Sequence, residues 1–474
     1  MSEMQLEMNL NPVAGNRLRE ALENGRFVTL IETQVPAGEM DKSSGIQRLE
    51  ALEKTVLSST VPDAALAIVD NLNRRDWTAV ELATSLSAEN RDRHLVYLSG
   101  AGLSPEGVLE QIQMAENAGI RNLVPVSGEV PEKLRSAREC RKMPFTESTD
   151  ILRLLAQRKK DFFPGCTVNP FQYTPYTLMG SYYKLIQKFN SGAGFVVTQM
   201  GWDMHKLQSL AWYLTERSQH YPKIARLSLL SPEKVESICA GNPQGVKLSR
   251  DMRELLQKEF TCSKTQFESV QFRRLRLQAV GCRLFGFSGI QINGADNPAR
   301  AEFILREIRN ALEECTSFEN WLDEYNSFMA STEMAPFSSN FQLYDRLLYR
   351  SYPYDDPPQT RELPLPEVSL MEKFSLKFKS FLFAHADSQR AANSHLLKVL
   401  LCGCRGCNKC RLPQKSFICP HTCPMKLVNG ICGSVAPDGS CPYSGQECVH
   451  HRILRISHAR NRLAEQENLL PPSF

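Results

Sequence analysis

Over roughly the first three hundred residues, short β-rich apolar runs alternate with longer stretches of helical periodicity, and the pattern repeats eight times. The strand-like runs are Phe27–Glu32, Ala64–Asp70, His94–Leu98, Asn122–Ser127, Gly165–Asn169, Phe195–Gln199, Ile224–Leu230 and Leu284–Ile292. Helical patterns between them include Ser104–Ala118, Leu178–Ser191, Asp203–Arg217 and Asn297–Glu313. Asn297 can cap the last of these, and Pro298 suits its first turn. Eight β-then-α units predict an α/β chain closed into a (β/α)8, TIM-like barrel. A doubly wound open sheet shares the periodicity and stands second, because neither a GxGxxG turn nor a GxxxxGK[ST] loop is present. In a barrel the C-terminal strand ends build the active site. Those ends carry Glu32, Asp70, Ser127 with Glu129 just beyond, Asn169, Gln199 and Asn293.

A chain of 474 residues is longer than this barrel needs, so one large and one small domain are expected. The alternation breaks near Cys315. The stretch Ser351–Glu367 is rich in proline and reads as an extended connector. Leu370–Phe383, rich in Phe and Lys, reads as a helix packed on a neighbouring domain rather than a membrane-seeking one. The expected division is a barrel over 1–314, a connector with helical segments over 315–394, and a cysteine-rich domain over 395–474.

The cysteines draw the last boundary. Six are scattered (Cys140, Cys166, Cys239, Cys262, Cys282, Cys315), and nine fall between Cys402 and Cys448. Met1–Asn11 holds Glu3, Glu7 and no apolar run, so no secretory signal is expected there. Nowhere do ~18 apolar residues run together, so no membrane-spanning helix is expected either. A cytoplasmic setting follows, in which the cysteines act as thiolates rather than disulfides. Cys404, Cys407 and Cys410 stand at x2 spacings, and Cys419 precedes Pro420. Such spacing lets sulfurs converge on one centre, while Gly403 and Gly406 free the backbone to wrap around it. The array favours iron–sulfur ligation. Zinc is the alternative, with His421, His450 and His451 also available. The nine thiols divide into a set of Cys404, Cys407, Cys410 and Cys419 and a set of Cys423, Cys432, Cys441 and Cys448, leaving Cys402 spare. From His395 onward ten Lys/Arg face four Asp/Glu, a balance that suits an acidic redox partner. The whole-chain charge of +4 is too small to imply nucleic acid.

Several segments resemble the flavin-dependent methylenetetrahydrofolate reductases over roughly residues 20–310. VTLIETQVP resembles that family's first strand, and RHLVYLSG its third. AGIRNLVPVSGEVPEK is similar to its "GI-RN-(apolar)-GD-P" stretch, and KLIQKFNSGAGFVVTQ to its "LK-K-AGA-(apolar)-TQ" segment. The tail, CPHTCPMKLVNGICG…CVHH, resembles the cysteine-rich C-terminal domain attached to a subset of these enzymes.

The resemblance implies FAD or FMN across the barrel mouth, with NAD(P)H as one candidate donor and methylenetetrahydrofolate as acceptor. It casts Glu32 as the general acid that protonates a folate nitrogen, which requires burial to raise its pKa toward neutrality. It puts Gln199 on the pterin edge, and Glu129 where the family has an aspartate. His94 and Lys188 match positions on the flavin ribityl or phosphate groups, and the strand-end residues Asp70 and Ser127 complete the candidate cofactor set. Three departures accompany it. The family's R-G-D reads Ser127–Gly128–Glu129, Ser181 stands where an aspartate holds flavin, and Thr33–Gln34 replace an aromatic pair. The leading expectation is reduction of 5,10-methylenetetrahydrofolate to 5-methyltetrahydrofolate, with the tail relaying electrons through iron–sulfur clusters. Ferredoxin or another redox protein would be the partner, and a homo-oligomer is compatible. The alternatives are a degenerate barrel serving as electron-transfer or scaffold partner of a one-carbon enzyme, and a zinc-stabilised binding module.

Overall fold

In the first strand Val28, Leu30 and Glu32 alternate with Thr29, Ile31 and Thr33, so the two sets point to opposite faces. Both faces are buried, as a parallel strand covered by helices requires. The computed structural model describes residues 15–36, 41–71, 77–158, 162–329, 344–348, 365–386, 395–407, 410–468 and 470. Met1–Asn11 and nearly all of the proline-rich connector lie outside them.

The strands are β1 (Val28–Gln34), β2 (Ala64–Val69), β3 (Leu95–Ser99), β4 (Leu123–Val126), β5 (Gly165–Val168), β6 (Phe195–Thr198), β7 (Lys223–Ser228) and β8 (Gly289–Asn293). They form one sheet in the order β4-β3-β2-β1-β8-β7-β6-β5, all in parallel register. β4 and β5 lie side by side without a ladder, so the barrel is nearly closed and the open sheet is excluded.

The expected last strand is corrected at its start. The helix Lys264–Leu284 runs through Leu284, a turn at Gly286 (φ +77°) follows, and β8 begins at Gly289. Asn297 does cap the helix Pro298–Glu314, accepting the Arg300 N–H.

Inside the barrel Val28, Leu30, Ala65, Ala67, Leu95, Val124, Phe195, Val197 and Ile224 make one apolar layer. Leu18, Ala21 and Leu22 of the helix Arg17–Glu23 seal it at the N-terminal strand ends. Outward residues such as Ile31, Leu66, Val96, Val196 and Ile290 join the larger cluster under the helices. The helix Phe318–Phe328 belongs to that cluster through Trp321 and Tyr325.

The tail packs directly on the barrel. Its helix Val449–Ala459 lies along Pro175–Phe189, all fifteen residues of which are buried. Gly180 is where they meet: a Cβ there would stand 2.8 Å from Leu454 and 3.1 Å from Ile431. Glu147, fully buried, accepts the main-chain N–H groups of Val428 (3.0 Å) and Asn429 (3.3 Å) and pairs with Lys184 at 2.8 Å.

The helix Leu370–Phe383 departs from expectation. It docks through Glu372, which pairs with Arg452 and Arg455, while Leu370, Phe374 and Phe381 are 82%, 76% and 85% exposed. Only Phe383 of this helix is buried. Among the described residues, no helix is long and apolar enough to cross a membrane.

Candidate active site

Above the apolar layer, the same strand alternation turns polar side chains inward. Glu32 follows Leu30 on β1, Arg226 follows Ile224 on β7, and Tyr97 follows Leu95 on β3. Gln291 and Asn293 line β8, in register with Arg226 and Ser228. Arg226 grips both oxygens of the Glu32 carboxylate, its Nε donating to Oε2 at 2.6 Å. Gln291 donates to Oε2 and Asn293 to Oε1, each at 2.7 Å. Four donors occupy the roughly four lone-pair positions a carboxylate offers.

The expected pKa direction for Glu32 is therefore reversed. Burial alone would raise it, but the Arg226 charge and the hydrogen bonds together hold it below the usual carboxylate range. Glu129 behaves in the opposite way. It follows Gly128, whose φ of +79° turns the chain over the mouth, and burial raises its pKa despite the Gln244 N–H and the charges of Arg226 and Arg135. Gln199 completes the group: its Oε1 accepts from Arg226 at 3.3 Å, and its Nε2 donates to the Gln244 carbonyl at 3.4 Å. The three catalytic candidates thus stand around one arginine.

The cofactor candidates divide. Asp70 and Ser127 reach the mouth. Asp70 accepts the N–H groups of Ala79 (2.6 Å) and Ser99 (3.1 Å), and burial lifts its pKa to about 6. Ser127 donates to the Ser148 hydroxyl at 3.2 Å. His94 is not brought there. It precedes β3, at the opposite end of the barrel, with one ring nitrogen accepting the Leu66 N–H and the other 2.9 Å from Glu53. Lys188 lies between its helix and β5, donating to the Thr167 carbonyl at 2.6 Å, and burial lowers its pKa to about 8. Ser181 is buried on the helix that the tail covers.

Sequence reasoning missed Arg226, Tyr97, Gln291, Lys234 and Gln244. Arg226 did leave a signal, a charge at an inward position of an otherwise apolar strand. Tyr97 donates to Gln291 at 2.9 Å. Lys234 donates to Ser228 at 2.6 Å and to Asn293, and burial lowers its pKa to about 8.

The cysteines fall into two neighbourhoods. Cys402, Cys404, Cys407, Cys410 and Cys419 influence one another electrostatically, as do Cys423, Cys432, Cys441 and Cys448, joined by Cys140 of the barrel. Burial and neighbouring thiols push these groups up, Cys423 to about 12 and Cys419 to about 11, against main-chain amides aimed at the sulfurs: Met425 and Leu427 at Cys423, Ser434 at Cys432, His450 and His451 at Cys448, Arg405 and His421 at Cys419. Paired amides suit thiolates held by a metal more than neutral core thiols. Among the described residues, no three His, Cys, Asp or Glu side chains converge closely enough to hold a single metal ion. That result concerns a single ion, whereas the four ligands of a four-iron cluster each bond a different iron.

Residues 17–231 match the family described as methylenetetrahydrofolate reductase, and residues 383–473 match the one described as methylene-tetrahydrofolate reductase C terminal. By these two matches, the barrel segment and the tail are those of the methylenetetrahydrofolate reductase family. No match was found among curated proteins. Among solved structures, an uncharacterized Clostridium thermocellum protein that binds two copies of 5-methyl-5,6,7,8-tetrahydrofolic acid is similar. The likeness covers 63% of this chain and 100% of that one, at 12% identity and a TM-score of 0.45, too distant to carry its ligand over.

The mouth holds groups that could meet a flavin. Lys234 and Lys247 could turn their amines to its phosphates, and the buried Ser99 hydroxyl at the end of β3 has no hydrogen-bond partner among the described residues. Gln199 and Ser127 can meet polar ring or ribityl edges.

Proposed function

We propose that the chain is a methylenetetrahydrofolate reductase-like oxidoreductase that forms 5-methyltetrahydrofolate at the C-terminal mouth of the barrel. The convergence of Glu32, Glu129 and Gln199 on Arg226 carries this reading. A flavin, when bound, supplies hydride transfer. Lys234, Ser127 and Asp70 would hold it, and FAD or FMN suits the mouth equally.

The two carboxyls divide the work by environment. Glu32, ionised and fully hydrogen-bonded, cannot hold a proton until Arg226 releases it. As a fixed anion it favours the positive charge that develops when the folate ring opens to an iminium. Glu129, raised by burial, is the carboxyl that can hold a proton and pass it to the departing folate nitrogen. Gln199 offers an amide to the pterin edge.

In the tail, Cys404, Cys407, Cys410 and Cys419 would hold one iron–sulfur cluster and Cys423, Cys432, Cys441 and Cys448 another. Bound clusters supply one-electron transfer, which suits ferredoxin or another redox protein as donor. The test is a half-reaction experiment on anaerobically purified protein. Glu129→Gln should abolish folate reduction while leaving reduction of the bound flavin intact; unchanged folate turnover would sink the proton role.

A second reading has its own support. Arg226 saturates Glu32, and His94 and Lys188 are engaged elsewhere, as a degenerate barrel serving another one-carbon enzyme would have them. Turnover of methylenetetrahydrofolate by the purified chain alone would eliminate it.

A further inference from the structure

Between the barrel mouth and the tail lies the turn 240–246. Gly245 (φ +78°) is confined there: a Cβ would stand 2.4 Å from the Gly433 carbonyl oxygen. Asn169, at the end of β5, spans the same seam, its amide donating to the carbonyls of Gly245 at 3.0 Å and Gly433 at 2.9 Å. That strand-end side chain therefore braces the tail.

Gln244, next in line, has every polar group engaged. The Tyr443 hydroxyl, reaching in from the tail, donates to its Oε1 at 2.5 Å, and its Nε2 donates to the Val130 carbonyl at 3.2 Å. Its main-chain N–H faces Glu129, and its carbonyl accepts from Gln199. Tyr443 and Gln244 are each 8% exposed. Removing the tyrosine hydroxyl would leave a buried amide oxygen unsatisfied and free the turn to shift.

We propose that Tyr443 is a positioning residue of the folate site, clamping Gln244 so that its main chain holds Glu129 and Gln199 in place. The C-terminal domain is thereby a working wall of the barrel's site, complementing any part its cysteines play. This rests on the folate reading above. The clamp also couples the two ends of the molecule, since Tyr443 and Gly433 flank Cys441 and Cys432 in sequence.

The experiment uses the full holoprotein and measures 5-methyltetrahydrofolate binding by calorimetry and hydrogen exchange of the 240–246 amides, with metal content checked on each sample. Tyr443→Phe and Gln244→Leu should each weaken binding about five- to tenfold and speed exchange in the turn, and the double variant should be no worse than either single. Glu467→Gln, which loosens the tail at Arg217 away from the turn, should leave both readouts unchanged. Unaltered exchange in Tyr443→Phe, or an equal loss of binding in Glu467→Gln, would overturn the clamp. If the wild type binds no folate but Tyr443→Phe still loosens the turn, the clamp stands and the folate reading falls.

Discussion

Arg226 on β7 holds both oxygens of the Glu32 carboxylate on β1, two strands away and just above the apolar layer that fills the barrel. A buried pair of this kind gains little over an apolar pair of similar volume, but it is costly to break from one side.

Arg226→Met should expose that asymmetry. With the cation gone, burial raises the Glu32 pKa, so the variant should lose stability as pH climbs past the unfolded value of about 4.3. In the wild type the sign is opposite: the folded pKa is depressed, so the contribution is present above about 4.3 and lost as pH falls through the lower folded value. Urea unfolding at pH 5 and pH 8 should show a deficit of about 3–5 kcal/mol, larger at pH 8. Equal deficits would mean that the pair is not the source.

Glu129→Gln tests the division between the carboxyls. The amide keeps the size and removes the proton, so turnover should fall by about 10²–10⁴-fold with little change in folate affinity. A KM rise with kcat preserved would assign Glu129 to binding alone.

Glu147 anchors the tail, and Lys184, Val428 and Asn429 hold its pKa down to about 2 against the opposing effect of burial. Its contribution is present above about 4.3 and is lost as pH falls toward about 2. Glu147→Gln leaves Lys184 buried and unpaired, at a cost of about 3 kcal/mol. Limited proteolysis should then cut the tail faster at pH 7, and parity with wild type would place the anchor elsewhere.

Cys432→Ser should remove the metal of one tail site without touching the other, read as iron and zinc per chain. Cys166→Ser, in the outward core of β5, should leave metal content unchanged. Zinc retained in place of iron would turn the tail into a structural module.

The barrel was legible because alternation with period two and helical periodicity both report burial locally. Strand ends offered Glu32 and Gln199, with Glu129 just beyond one, among several polar residues, and the family resemblance singled these three out. The β8 boundary was not legible, because Leu284 is equally apolar as a helix end and as a strand start. The outward apolar face of Leu370–Phe383 was misjudged because an amphipathic pattern shows that a face exists, not what covers it.

Thus the sequence by itself determined the eight βα units, the polar residues at their C-terminal strand ends, and the grouping of thiols along the tail, all of which depend on neighbours in the chain. Only the tertiary structure decided that Arg226 holds the Glu32 pKa down and that Gln244 links Tyr443 to Glu129. Those facts depend on charges and hydrogen bonds between residues more than a hundred positions apart, such as Arg226 with Glu32 and Tyr443 with Gln244. Such pairs leave no local pattern, because their energy exists only once the chain has closed around them.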